Sequence, residues 1–271
     1  SIIDIRVKKY ESSEDQRIVI GVGDDGSGMD PTTLRTSLQF GGSTRFGSRT
    51  GTGRFGMGLP SASLSRSRRV EVYSWQDGKS PLFTYLDVDE VARGTLTAIP
   101  NPRRCSPPKK LFKPDTEAGT FVFWSNCDRL EYKRHTTIAR KLRSTLARLF
   151  RYPLQKGVRL TVNGDPLEPH DPLFLTGSGE NNSAVEYCDP LCYQFRTVGS
   201  GDSDPATSPV EVRFSLLPVT EWAQRPKGEK RSLGITGGAG VSIVRADREI
   251  DHGWYFLGSK RKQNYDDWWR C

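Results

Sequence analysis

No apolar run in the sequence approaches the roughly 18–20 residues that a membrane span requires, which excludes a transmembrane helix. No signal peptide is recognisable. Cysteine is scarce, with five among 271 residues. An odd, scattered set (Cys105, Cys127, Cys188, Cys192, Cys271) argues against a disulfide framework and fits a reducing, cytoplasmic compartment. Cys188 and Cys192 are four apart, but no second pair at zinc spacing follows, so no metal site is expected from them. No Gly-Lys-Ser/Thr follows a glycine run, which excludes a P-loop. There is no internal repeat, and therefore no solenoid.

What is present is the composition of a folded protein. Apolar residues make up 35% and aromatic residues 10%, enough for a core and incompatible with general disorder. The net charge of +8 favours polyanionic partners, nucleic acid above all. The competing reading of that charge is a solvated, arginine-rich surface. The length suits one large domain or two ordinary ones. The chain opens abruptly inside a strand pattern, Ile2-Ile3-Asp4-Ile5-Arg6-Val7, as expected of a fragment whose N-terminus lies upstream.

Alternation predicts that opening strand, and a second, more buried one over Arg17–Val22. Asp30-Pro31 reads as an N-cap followed by proline at the first helical position, opening a helix to about Phe40. Residues 41–58 carry seven glycines and leave no room for a packed element. A short helix is expected after Pro60, then strands over Arg69–Trp75, Phe83–Val88, Gly94–Ile99 and Gly119–Trp124, with a hairpin turn at Asp77-Gly78. Asn101–Pro114 reads as a basic surface loop. Lys133–Arg151 is the clearest long helix, with Ile138, Leu142, Leu146 and Leu149 along one face. Further strands are expected over Val158–Asn163, Val210–Leu217 and Gly240–Arg245, with a polar loop over Gly199–Pro209.

Two glycine segments invite a dinucleotide-binding reading. Gly21-Val22-Gly23-Asp24-Asp25-Gly26 follows a strand and matches Gly-x-Gly-x-x-Gly. However, the helix begins too late, at Asp30, and two aspartates occupy positions where a pyrophosphate needs bare backbone N–H groups. A different chemistry fits better. An aspartate held at the end of a buried strand can accept from an exocyclic amino group, such as adenine N6. Gly26 and Gly28 then let the backbone approach a flat base. Read alone, this segment is an Asp-Gly surface turn before it is a base site. The second segment, Gly53-Arg54-Phe55-Gly56-Met57-Gly58, precedes a helix and offers backbone N–H groups to phosphate.

In this order, Asp24-Asp25-Gly26-Ser27-Gly28, then Gly53–Gly58, then Gly119-Thr120, the chain resembles the ATPase family of gyrase B, heat-shock chaperones, histidine kinases and MutL. The resemblance implies an α+β protein: a two-layer α/β sandwich (the Bergerat ATP-binding fold) over residues 1–128, followed by a transducer-like α/β domain over 129–271. Val162-Asn163-Gly164 and the run Gly240–Arg245 with Arg248-Glu249-Ile250 are similar to that second domain. Histidine kinases lack the transducer, and no phospho-acceptor histidine segment is present, so that branch is disfavoured.

The resemblance also implies roles. Asp24 holds adenine N6, while Gly26, Gly28 and Met29 line the base pocket. Residues 41–58 form a lid whose Gly53, Arg54, Phe55, Gly56, Met57 and Gly58 wrap the triphosphate, and Thr120 completes the base site. The family's catalytic glutamate and its Mg2+-binding asparagine are expected on a helix upstream of Ser1, so ATP is the ligand expected here and Mg2+ is held from outside this chain. Lys260 and Lys262 are candidates for the lysine that reaches the γ-phosphate. An ATP-driven switch or clamp, with ATP-dependent homodimerisation, is the expected function. The alternative is a basic nucleic-acid-binding module with a vestigial nucleotide site, drawing on Arg103–Lys113, Lys133–Arg151 and Arg225–Arg231.

Overall fold

The computed structural model describes residues 1–12, 15–43, 55–110, 112, 116–176, 184–197, 206–254 and 264–271. The chain divides into two compact units: residues 1–146 with 153–168, and residues 147–152 with 169–271.

The first unit is built on an eight-stranded sheet. Its strands are β1 (Ile2–Ser12), β2 (Asp15–Asp24), β3 (Arg69–Trp75), β4 (Leu82–Asp87), β5 (Arg103–Arg104), β6 (Gly119–Ser125), β7 (Arg159–Val162) and β8 (Asp165–Pro166). Their order across the sheet is β5-β4-β3-β6-β2-β1-β7-β8. All neighbours are antiparallel except β1 and β7, which run parallel, so the sheet is mixed. The last turn of the sheet is Asn163-Gly164, with φ of 56° and 92°. That is the left-handed geometry a two-residue hairpin needs.

Strand alternation sorts the side chains onto two faces. On one face Val70, Val72 and Leu86 pack with Leu34 and Leu38, and Leu59, Leu64, Val122 and Trp124 join them. This is the helix-covered face, carrying α1 (Pro31–Thr36) and α2 (Gly58–Leu64). On the other face Val19, Tyr73, Trp75, Phe83, Phe121 and Phe123 form an aromatic cluster, with Phe112 packed against it. Phe112 lies nearly parallel to Phe121, ring centroids 4.6 Å apart.

α1 begins as its sequence dictates. Asp30 accepts from the Thr32 and Thr33 N–H groups, and Pro31 stands at the first helical position. The helix ends at Thr36 rather than near Phe40. Leu38 N–H and Gln39 N–H donate to Arg35 O and Thr36 O, so the chain tightens into turns that still bury Leu38 completely. Gly94–Ile99 is not a strand. It follows α3 (Val88–Ala92), and Thr95 and Leu96 N–H both donate to Glu90 O, closing the helix end. α4 (His135–Leu149) is the long helix expected, with Ile138, Ala139 and Ala147 buried and Leu142, Leu146 and Leu149 half-buried. α5 (Arg151–Gln155) follows.

The second unit consists of small sheets: β9 (Val185–Glu186), β12 (Ser215–Leu216) and β15 (Trp269–Arg270) in the order β15-β12-β9, the pair β10 (Leu191–Thr197) and β11 (Ala206–Val212), and the pair β13 (Val241–Arg245) and β14 (Arg248–Gly253). The strand expected over Val210–Leu217 is split between β11 and β12. Two short helices, α6 (Val219–Trp222) and α7 (Lys227–Ser232), precede β13. Phe174, Leu217, Trp222 and Ile235 form the core of the unit. Glu249, 4% exposed, accepts from Arg148 Nε (2.9 Å), Arg151 Nη1 (3.2 Å) and Ser242 Oγ (2.5 Å). Removing such an acceptor would strand buried charge.

Candidate functional site

Asp24 ends β2 on the helix-covered face. It stands opposite Thr120 of β6, and Thr120 stands opposite Ser74 of β3. These three polar residues continue a row whose preceding members are Val22, Val122 and Val72. A core row therefore turns polar at the end of the sheet, where a ligand can reach it.

The row is tied together by hydrogen bonds. Ser74 is fully buried. Its Oγ accepts from Met29 N–H (2.8 Å), donates to Gly119 O (3.0 Å) and lies 3.1 Å from Thr120 Oγ1. A serine has one hydroxyl proton. Because a carbonyl can only accept, that proton goes to Gly119 O, and the Thr120 hydroxyl must donate to Ser74. What Thr120 Oγ1 still offers is acceptor capacity.

Asp24 and Asp25 are neighbours with different tasks. Asp25 Oδ1 accepts from Ile2 N–H (2.7 Å) and Ser1 Oγ (3.2 Å), fastening the start of β1. The Ile2 N–H holds its carboxyl below the usual range. Asp24 is pushed the other way: burial raises it, the Gly26 N–H bond opposes this, and the Asp25 charge adds to the rise. Asp24 Oδ1 accepts from Gly26 N–H at 2.9 Å. Its other oxygen is the acceptor available to a ligand.

Glycine is required at two of the motif positions. Gly28 has φ +69°, and a Cβ there would stand 1.9 Å from Trp75 O. Gly56 has φ +62°, and a Cβ there would stand 2.2 Å from Gly42 O. The backbone that leaves at Gly42 is thus met again at Gly56. From there Phe55 and Met57 are exposed, and Gly58 opens α2 with no side-chain cap from Met57. The first-turn N–H groups of α2 receive no side-chain acceptor from their own cap. Leu59 of α2 and Met29 pack into the same cluster, which brings the described end of the second glycine segment, Phe55 to Gly58, to the same sheet face as Asp24. Trp124 Nε1 donates to Ser63 Oγ (2.8 Å) and fixes α2 on β6.

The structure therefore gathers Asp24, Gly26, Gly28, Met29 and Thr120, with Phe55, Gly56, Met57 and Gly58 leading into α2. Gly53, Arg54, Lys260 and Lys262 lie outside the described residues, as do residues 44–54 of the expected lid. Motif reading missed Ser74. Its signal was a serine at core parity in an otherwise apolar row, Val70-x-Val72-x-Ser74. Among the described residues no group of three or more His, Cys, Asp or Glu is placed to hold a metal ion. Among them, too, no helix is long and apolar enough to cross a membrane.

Residues 1–115 match the family model described as histidine kinase-, DNA gyrase B-, and HSP90-like ATPase. This part of the chain is similar to that family. No curated protein matches the chain. The mixed sheet with helices on one face agrees with the α+β architecture of these ATPases. The match stops short of β6, yet β6 supplies Gly119 and Thr120 to the polar row.

Proposed function

We propose that the first unit binds ATP, with the adenine seated on the row Asp24, Thr120 and Ser74. One observation carries this reading: a half-buried carboxylate with one oxygen uncommitted, beside a threonine hydroxyl that can only accept. Adenine presents an N6 amino donor where guanine presents the O6 acceptor. An acceptor array matches the first and leaves the second unpaired, at a cost of about 1–3 kcal/mol. The exposed segment from Phe55 to Gly58 and the uncapped start of α2 support a phosphate-facing role.

The finer reading is an ATP-driven switch. It rests on the family resemblance, in which ATP binding drives the conformational change. Closure would favour dimerisation, and hydrolysis would reverse it. Calorimetric titration of ATP and GTP into the wild-type chain and Asp24→Asn tests the assignment. ATP should bind in preference to GTP, and the variant should lose ATP. Equal ATP affinity in the two proteins would refute the site.

A further inference from the structure

The second unit carries a pocket that the ATP reading does not use. α7 places Lys227, Lys230 and Arg231 at spacings of three and four residues, on one helical face. Like charges at that spacing repel one another. The acid of this helix, Glu229, is engaged by Arg225 at 2.7 Å. Lys230 Nζ donates to Ala223 O (3.0 Å). Beyond α7 the chain turns through Gly234 (φ +78°) and Gly237 (φ +80°), anchored between them by the fully buried Ile235.

Arg270, 1% exposed, holds this turn from within. Its Nη2 donates to Gly234 O (3.2 Å) and Ile235 O (2.8 Å), and its Nη1 to Asp267 O (2.7 Å) and Trp269 O (2.8 Å). The carbonyls of the turn are thereby committed to a buried guanidinium. Thr236, Gly237, Asp267 and Trp268 join the three α7 cations around an open cavity of about 640 Å³; Trp268 is half-buried, packed against the core of Phe174, Leu217, Trp222 and Ile235, and lends the rest of its ring to the cavity wall. Among the described residues Asp267 is the one carboxylate in that wall; it is 2% exposed and accepts from Gly237 N–H (3.5 Å). Three cations against one carboxylate leave the wall with a surplus of two positive charges.

We propose that this pocket contacts the backbone of single-stranded nucleic acid, with Lys227, Lys230 and Arg231 on phosphates and Trp268 as a stacking surface for a base. Cations three and four residues apart on a helix stand about 5–6 Å from one another at Cβ. That suits a repeating polyanion better than a single phosphate. An aromatic ring beside a basic groove is the arrangement by which single strands are held without sequence preference. A duplex keeps its bases paired and cannot use the ring. The inference does not rest on ATP binding, because the pocket shares no residue with the Asp24 site.

Fluorescence anisotropy of a labelled oligothymidylate against the whole chain, over graded KCl, tests it. Lys227 and Arg231 are exposed, so Lys227→Ala/Arg231→Ala should fold normally. The double variant should bind at least about tenfold more weakly. It should also lower the slope of log affinity against log salt by about 1.4, from two phosphate contacts at about 0.7 each. Oligothymidylate should quench tryptophan fluorescence in the wild type and less so in Trp268→Phe. A duplex of equal length should bind more weakly than the single strand. Unchanged affinity and slope in the double variant would overturn the proposal. So would preferential duplex binding, or displacement of the oligonucleotide by inorganic phosphate at matched ionic strength. Asp24→Asn should leave oligonucleotide binding intact, so a failure of the ATP site is read separately.

Discussion

Replacing Ser74 with alanine tests the base site at the residue that joins its parts. The change removes one oxygen and leaves the fold's volume nearly unchanged. It strands Met29 N–H, which donates to Ser74 at 2.8 Å, and frees the Thr120 hydroxyl, which stands at 3.1 Å. An unsatisfied buried donor costs about 1–3 kcal/mol, so urea unfolding of the first unit should show a loss in that range. The freed Thr120 proton has a sharper effect. It can now rotate toward the ligand and donate, so the row no longer offers acceptors alone. ATP affinity should fall by about tenfold, equivalent to about 1.4 kcal/mol. GTP affinity should fall less, narrowing the ratio between the two nucleotides. Titrations of both nucleotides into both proteins measure that ratio. A variant that is less stable but keeps the wild-type ratio would show Ser74 to be a packing residue only. One unchanged in both would refute the hydrogen-bond assignment.

Gly28→Ala forces a side chain into left-handed backbone at φ +69°, with its Cβ 1.9 Å from Trp75 O. Strain of about 1–3 kcal/mol plus displacement of the β3 end should abolish ATP binding in a titration, and retained affinity would contradict the geometry. Because burial raises the Asp24 pKa and the ionised form is the acceptor, ATP affinity measured across a pH series should decline on acidification at a pH above the ordinary carboxylate range; a decline confined to that ordinary range would count against Asp24. In the second unit, His170 and His252 are held below 6.5, first by burial and next by Arg148. A depressed folded pKa contributes stability above the unfolded value and loses it as pH falls through the folded one. The second unit should therefore weaken as pH drops below about 6.5, and a His170→Gln/His252→Gln variant should show a flatter profile in denaturant unfolding.

How much of this was written in the sequence depends on how local the cause is. Asp30-Pro31 announces its helix because a cap and a proline act within one turn. Gly28 and Gly56 were legible because each needs a backbone that only glycine adopts cheaply. Asp24 and Asp25 look interchangeable as letters; only the Ile2 N–H, brought in by the pairing of β1 with β2, separates the fastener from the free acceptor. Ser74 belongs to no motif, and its meaning comes from two neighbouring strands. The early end of α1 and the helix-closing turn at Thr95 and Leu96 escape periodicity, because both are settled by single backbone hydrogen bonds. The short strands of the second unit escape it too, since two residues of β12 or β15 carry no period. The joining of β7 to β1 unites residues 2–5 with 159–162, a pairing that no window along the chain contains.

The position of β6 has a practical consequence for recombinant work. It lies between β3 and β2, with four strands on one side of it and three on the other when β8 and β5 are taken as the ends. A fragment cut at residue 115, where the family match stops, would lose this middle strand together with β7 and β8 and would present three newly bared edges, on β3, β2 and β1. Long unpaired edges invite association between chains, so insoluble material from such a fragment would report on the cut and not on the protein. A fragment that keeps all eight strands has to run through Pro166.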